Sequence, residues 1–229
     1  MTDALVKYSD EIYAADGFVK LAPAIHFPVR STVVKLSGGG LLVHSPIAFT
    51  DEQAAAIERL GEVRYVLAPN LYHNLFLASA AARFPGAKVL GAPGMDRKVK
   101  NVAFDEIVES ELPASLASDF DLVQIGGVPS FNEMVLFHRS SRSLLVADYF
   151  FNIQESKGWM TPWVLRMTGS YKKATQSKLW RKATKDREAM AQSAREVLAL
   201  DFQRVVMCHG EVVEDGRDFA QASLQWLGP

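Results

Sequence analysis

Leu144-Leu145-Val146-Ala147-Asp148-Tyr149-Phe150 sets an aspartate directly after four apolar residues. A short apolar run of this kind suits a strand buried on both faces. Solubility is a poor explanation for a carboxylate at its end. If that carboxylate lies deep it needs a cation or several hydrogen-bond donors, or it takes a proton. The plainer alternative is a loop-capping aspartate that accepts backbone amides.

Three further apolar runs end in polar residues. His44 follows Leu41-Leu42-Val43, and Asn70, His73 and Asn74 follow Val66-Leu67-Ala68. His209 follows Val205-Val206-Met207-Cys208, with Gly210 leaving the backbone beyond it uncluttered. The carboxyl ends of buried strands deliver side chains to a crevice, so these positions are the first to read for chemistry. Taken alone, His209 reads as a satisfied core histidine. His26 and His138 read as residues of surface turns without a role.

Working outward, Val29 to Leu36 reads as a strand, Ser37 to Gly40 as a turn and Leu41 to His44 as the return strand. Thr50 and Gln53 form a capping box for a helix that Gly61 closes. Val63 to Ala68 predicts a buried strand, Leu71 to Arg83 a helix and Lys88 to Ala92 another strand. In the second half Phe120 to Ile125, Met134 to His138 and Ser143 to Ala147 read as strands, with Arg139 to Arg142 a hairpin turn. Tyr171 to Leu200 reads as one long helical stretch, Val205 to Cys208 as a strand and Asp218 to Leu227 as a last amphipathic helix. Two strand-rich halves, each with helices, predict an α/β fold of two face-to-face sheets with helices outside. No linker divides the chain, so residues 1–229 are expected to form a single domain.

Hydrophobic residues at 48% and charged residues at 22% predict a sizeable core. A net charge of −1 argues against wholesale electrostatic capture of nucleic acid or an anionic membrane. Cys208 is the one cysteine, which excludes an internal disulfide and fits a reducing compartment. Met1 to Lys20 lacks the continuous apolar core of a signal peptide, and no apolar run approaches the ~20 residues of a membrane span. A cytoplasmic protein without membrane attachment is the expectation.

The aspartate-ended strand resembles the metallo-β-lactamase-fold segment that closes on a metal-bridging aspartate. Val205 to Gly210 resembles the late strand of that superfamily, whose His-Gly supplies a ligand to the second metal. Val63 to Gly91 is similar to the stretch that carries its H-x-H-x-D-H motif. The resemblance implies a four-layer αββα sandwich. The motif itself is eroded: the chain reads Ala68-Pro69-Asn70-Leu71-Tyr72-His73-Asn74, and His73 stands in the place of either the motif's aspartate or its last histidine. The mid-chain histidine is missing too, with Pro129-Ser130-Phe131-Asn132-Glu133 in its stead. The first metal site has therefore lost its ligands, as in an uncharacterised branch of the superfamily.

What the resemblance leaves is His73, Asp148 and His209 as ligands of one zinc, iron or manganese ion, with Asn70, Asn74 and His44 as helpers. Asp148 and Glu133 are the catalytic candidates, Glu133 as a base. The implied activity is hydrolysis of a small ester, lactone, thioester or phosphodiester by a metal-activated water. The same residues equally suit a metal-free, catalytically silent binding or scaffolding protein, in which Glu133 is a structural acceptor.

Two segments remain. Phe150 to Tyr171, rich in aromatic residues and methionine, reads either as an apolar lid on the crevice or as a packing or homodimer segment. The run from Lys172 to Arg187 reads as a solvated basic helix face and not as a nucleic-acid site.

Overall fold

Alternation along each strand decides which layer a residue enters. In the computed structural model, which describes residues 4–228, Leu42, Leu67 and Leu90 point one way and pack against Leu136, Leu145 and Val206. Their neighbours Val43, Val66 and Val89 point the other way, onto Ile57, Leu77 and Ala80. On the far side Leu144, Val146, Val205 and Met207 meet Met190, Ala194 and Val197. Three apolar interfaces thus separate four layers: helix, sheet, sheet, helix. The fold is the expected αββα sandwich.

The first sheet lies in chain order: β1 (Val6–Lys7), β2 (Ile12–Ala22), β3 (Ile25–Lys35), β4 (Leu41–His44), β5 (Val63–Ala68), β6 (Lys88–Gly91) and β7 (Glu106–Ile107). Pairing is antiparallel from β1 to β4 and parallel from β4 to β7. Helix α1 (Asp51–Leu60) joins β4 to β5, α2 (Leu77–Arg83) joins β5 to β6, and α3 (Met95–Lys98) precedes β7. The predicted capping box on α1 is present, Thr50 and Gln53 exchanging bonds of 3.1 Å.

After α4 (Ala114–Ala117) come β8 (Phe120–Gln124), β9 (Met134–His138) and β10 (Ser143–Val146). Then α5 (Thr161–Thr168), α6 (Lys178–Ala183) and α7 (Arg187–Ala199) lead to β11 (Arg204–Met207), and α8 (Gly216–Leu224) runs on into a 3-10 turn at Gln225–Leu227. The second sheet has the order β11-β10-β9-β8, with only β10 and β11 parallel. No helix among the described residues is long and apolar enough to cross a membrane.

Four expectations are corrected. Strand β2 lies in a segment read only for its lack of a signal peptide, yet its alternation of apolar and charged residues is that of a strand with one exposed face. The helix expected from Leu71 begins at Leu77, because the Asn70 side chain accepts the Tyr72 and His73 amides and holds that stretch in turns. The long helix from Tyr171 is broken in two: Ser177 caps α6, Asp186 caps α7, and the chain before Ser177 is not helical. His138 is not on a surface turn; it ends β9, is buried, and its Nδ1 lies 2.7 Å from the Ser141 hydroxyl.

Candidate metal centre

Two parallel strand pairs, β4 with β5 and β10 with β11, end at one edge of the sandwich. The residues just beyond them are Ser45, Asn70, Asp148 and His209, and His73 follows Asn70 through the turns it holds. The structure brings His73, Asp148 and His209 together although 136 positions separate the two histidines. One donor atom from each lies within 4.8 Å of the others.

Each imidazole is fixed from behind. His209 Nδ1 donates to the Pro28 carbonyl at 2.8 Å, since a carbonyl can only accept. Its Nε2 therefore carries the lone pair in the neutral ring, and this atom stands 3.1 Å from Asp148 Oδ1 and 3.2 Å from His73 Nε2. Phe151 stacks on the His209 ring at 5.2 Å and 7°, and Phe27 meets it edge-on. Gly210, at φ 103°, lets the chain turn against Asn152: a Cβ there would sit 2.1 Å from the Asn152 carbonyl oxygen. For His73, Nδ1 lies 2.5 Å from the Ser45 hydroxyl, and Nε2 lies 3.4 Å from Asp148 Oδ2. Ser45 has φ 56°, a left-handed conformation uncommon outside glycine, directly after β4.

Asp148 is held by the two imidazoles and by the Asn70 amide. Burial alone would raise its carboxyl; the His73 and His209 imidazoles more than offset that and leave it well below the usual carboxylate range. Asn70 Nδ2 donates to Asp148 Oδ2 at 2.9 Å and to Glu133 Oε2 at 2.8 Å, so one amide ties two carboxylates. Its Oδ1 is engaged by the Tyr72 and His73 amides, which fixes the orientation of the side chain.

Glu133 is fully buried and accepts the backbone N–H groups of Ala147, Asp148 and Tyr149 at 2.8 to 3.0 Å. Burial, then the nearby Asp148 charge, raises its carboxyl, opposed by the Asn70 and backbone donors. Its oxygens face the turn behind Asp148 and not the crevice. Asn74 stands apart from the cluster, its Nδ2 donating to the Leu71 carbonyl at 2.5 Å. His44 is fully buried and neither ring nitrogen has a hydrogen-bond partner among the described residues. Burial, and after it the neighbouring His73, lowers its pKa to about 3, so it is neutral.

A cavity of about 670 Å³ opens on the cluster, with Ser45, His73, Asp148 and His209 on one wall. Phe27 and Val29 of β3, with Ile47, Phe76, Phe131 and Phe151, give apolar surface to the other walls. The Phe150–Tyr171 segment contributes less than a lid would: Phe151, Val164, Thr168 and Ser170 line the cavity, Phe150 is in the core, and Trp159 and Trp163 face outward. The basic run is not wholly solvated either. Trp180 is fully buried, while Leu179 and Lys182 reach the cavity. Sequence reasoning missed Ser45, whose adjacency to His44 at a strand end was the only signal; Phe151 lies in the aromatic segment read as a lid, and nothing local marked its stacking on His209.

The model of a family described as a domain of unknown function (DUF4336) matches residues 9–179. No curated protein matches the sequence. Among solved structures, a metallo-β-lactamase from Pontibacter korlensis is 12% identical with a TM-score of 0.67, over 96% of this chain and 98% of its own. The structure of VMB-1 is 13% identical with a TM-score of 0.69, over 98% and 97%. A metallo-β-lactamase from Hirschia baltica is 15% identical with a TM-score of 0.61, over 98% and 97%. At such identities the likeness is one of fold.

Proposed function

The chain belongs to the family described as a domain of unknown function (DUF4336), and from that premise we propose a hydrolase that uses one metal ion held by His73, Asp148 and His209. The observation that carries this reading is the convergence of donor atoms. Two imidazole nitrogens and a carboxylate face one another at 3.1 to 3.4 Å. Donors in a tetrahedral array with bonds of about 2.0–2.2 Å stand roughly 3.3–3.6 Å apart. The Nε2 pair at 3.2 Å is near that spacing, while the two rings meet different oxygens of Asp148 and one donor from each residue falls within 4.8 Å of the others. Two imidazoles and a carboxylate are a donor set that zinc, iron or manganese accepts. Without a metal, the same contact requires a proton on His73 Nε2, donated to the His209 lone pair, with Ser45 donating to Nδ1.

A bound zinc would supply Lewis-acid polarisation and a water acidified toward neutrality. The chain's own residues do the rest. Pro28 and Ser45 set the ring orientations, an outer-shell function that sharpens affinity. Asp148 stays ionised and is the residue we assign to the reacting centre. Glu133 is a positioning residue: enclosed behind Asp148, it holds the 147–149 turn and has no path to a substrate. The apolar walls exclude water, which strengthens the field on a small ester, lactone, thioester or phosphodiester.

The test begins with elemental analysis of protein purified without chelator and without added zinc. Thermal unfolding with EDTA, then with excess Zn²⁺, Fe²⁺ or Mn²⁺, follows. At a metal concentration 100-fold above Kd the native state should gain about 2.7 kcal/mol, and His209→Ala should abolish the gain while leaving the apo protein folded. Melting curves indifferent to EDTA and to every metal would instead assign the fold to a metal-free binding protein.

A further inference from the structure

Among the described residues, all the large apolar side chains left exposed except Val6 lie on segments that border the cavity. Leu21, Tyr72, Leu75 and Leu179 line its mouth while each remains more than half exposed. Beside them α5 turns Val164 and Thr168 to the cavity and leaves Trp163 and Met167 outside, 68% and 73% exposed. Trp159, one turn earlier, is 78% exposed. The segment is seated against the β2–β3 hairpin: Met160 donates its amide to the Ala24 carbonyl, and the Lys157 ammonium sits 4.1 Å from the Phe18 ring centroid. The exposed residues therefore form one rim around one opening, and a monomer in water rarely presents such a patch without a use for it.

The charge of this face differs from that of the chain. Between residues 150 and 187 there are nine Lys and Arg against two acids, in a protein whose net charge is −1. Neither the hairpin from 17 to 28 nor the loop from 69 to 76 contains an acid. Lys157, Arg166, Lys172, Lys173, Lys178 and Lys182 make no ion pair with a carboxylate among the described residues. Exposed tryptophans interleaved with unpaired cations are the composition of a surface that sits in a lipid headgroup layer.

We propose that the cavity-bearing face docks on an anionic lipid surface, with Trp159, Trp163 and Met167 inserted and the flanking lysines on headgroups, so that the cavity draws an apolar chain from the bilayer. The docking stands on the rim alone. That the chain drawn in belongs to a hydrolysable ester rests on the metal-dependent reading, and the two are separable by experiment.

Co-flotation with vesicles of pure phosphatidylcholine and of phosphatidylcholine mixed with phosphatidylglycerol tests it, with tryptophan emission recorded in parallel. Wild type should bind the mixed vesicles with a blue shift, and more weakly as salt rises. Trp163→Ser with Met167→Ser, exposed positions that leave the core intact, should cost at least about tenfold in partitioning. Lys172→Glu with Lys173→Glu should cost a similar factor, at about 1 kcal/mol per cation near the surface. His209→Ala should bind like wild type, so a failed metal site leaves this result standing. No binding to mixed vesicles at low salt overturns the proposal, as does binding that both double variants leave unchanged. Concentration-dependent dimerisation, lost in Trp163→Ser/Met167→Ser without vesicle binding in wild type, would assign the rim to a second copy of the chain.

Discussion

The two sides of the crevice floor are built from the same kinds of residue and behave in opposite ways. On one side Glu133, Asn70 and the 147–149 backbone form a closed set of hydrogen bonds in which each polar atom has its partner. On the other, His73 and His209 have their outer nitrogens anchored and their inner nitrogens aimed at each other and at Asp148. A satisfied polar network rigidifies the structure and has no use for a ligand. Nitrogens that converge in this way need a cation or a proton between them. Asp148 belongs to both sides, Oδ2 to Asn70 and both oxygens to the imidazoles. On the closed side an internal amide–carboxylate network does the organising.

The contrast breaks most visibly at Glu133. If its carboxylate organises the dry side, Glu133→Ala strands three buried amides and the Asn70 donor. Urea unfolding should show a loss of about 3–5 kcal/mol. Glu133→Gln, which keeps one acceptor but sets an NH₂ group against backbone donors, should fall between. A loss under about 1 kcal/mol for the alanine variant would mean that the strands position Asp148 unaided.

Ser45 sharpens the contrast from the other side. Its hydroxyl anchors His73 much as the Pro28 carbonyl anchors His209. Removing such an outer partner typically costs 10–100-fold in metal affinity. Ser45→Ala should do that by zinc titration, with stability within about 1 kcal/mol of wild type. Ser45→Gly loses the same hydroxyl but accepts φ 56° without strain, so it should be at least as stable as wild type while binding zinc as poorly as the alanine variant. Unchanged affinity in both would show that the ring is held by packing.

How much of this was legible in the sequence follows the same division. The aspartate and histidine sites were readable because apolar runs end in them: Leu144 to Ala147 before Asp148, Val205 to Cys208 before His209. Their meeting needed the parallel pairing of β10 with β11, which two near-continuous apolar strands imply. The dry side was harder. Asn70 and Glu133 are 63 positions apart, and an asparagine's orientation depends on which amides reach it, something no local pattern carries. Strand β2 shows the reverse failure: its alternation was visible, but the stretch was read only for the continuous apolar core that it lacks. The breaks at Ser177 and Asp186 were present as capping residues, hidden by the helical composition on either side. Exposure of Trp163 could not be read at all, because periodicity in an eight-residue helix does not say which face meets the core.

The smallest effect concerns His44, which belongs to neither side. It lies fully buried beneath His73, with both ring nitrogens unpartnered. In the unfolded chain a histidine takes its proton near pH 6.5; in the fold His44 does so only near 3, burial being the main cause. A depressed folded pKa means that the unfolded state binds the extra proton first, so stability is full above the unfolded pKa and drains away as pH falls below it. Between pH 7.5 and 6.0 the drain from this one group is roughly 0.8 kcal/mol. Replacing the ring by an apolar side chain of similar size removes both the proton linkage and two unsatisfied polar atoms. His44→Leu should therefore match or slightly exceed wild-type stability at pH 7.5, and its advantage should grow by about that 0.8 kcal/mol at pH 6.0. Urea midpoints of both proteins at the two pH values provide the check, with EDTA present so that metal linkage at His73 does not contribute. Parallel pH dependence in the two would show that His44 is reached by water and titrates as it does in the unfolded chain.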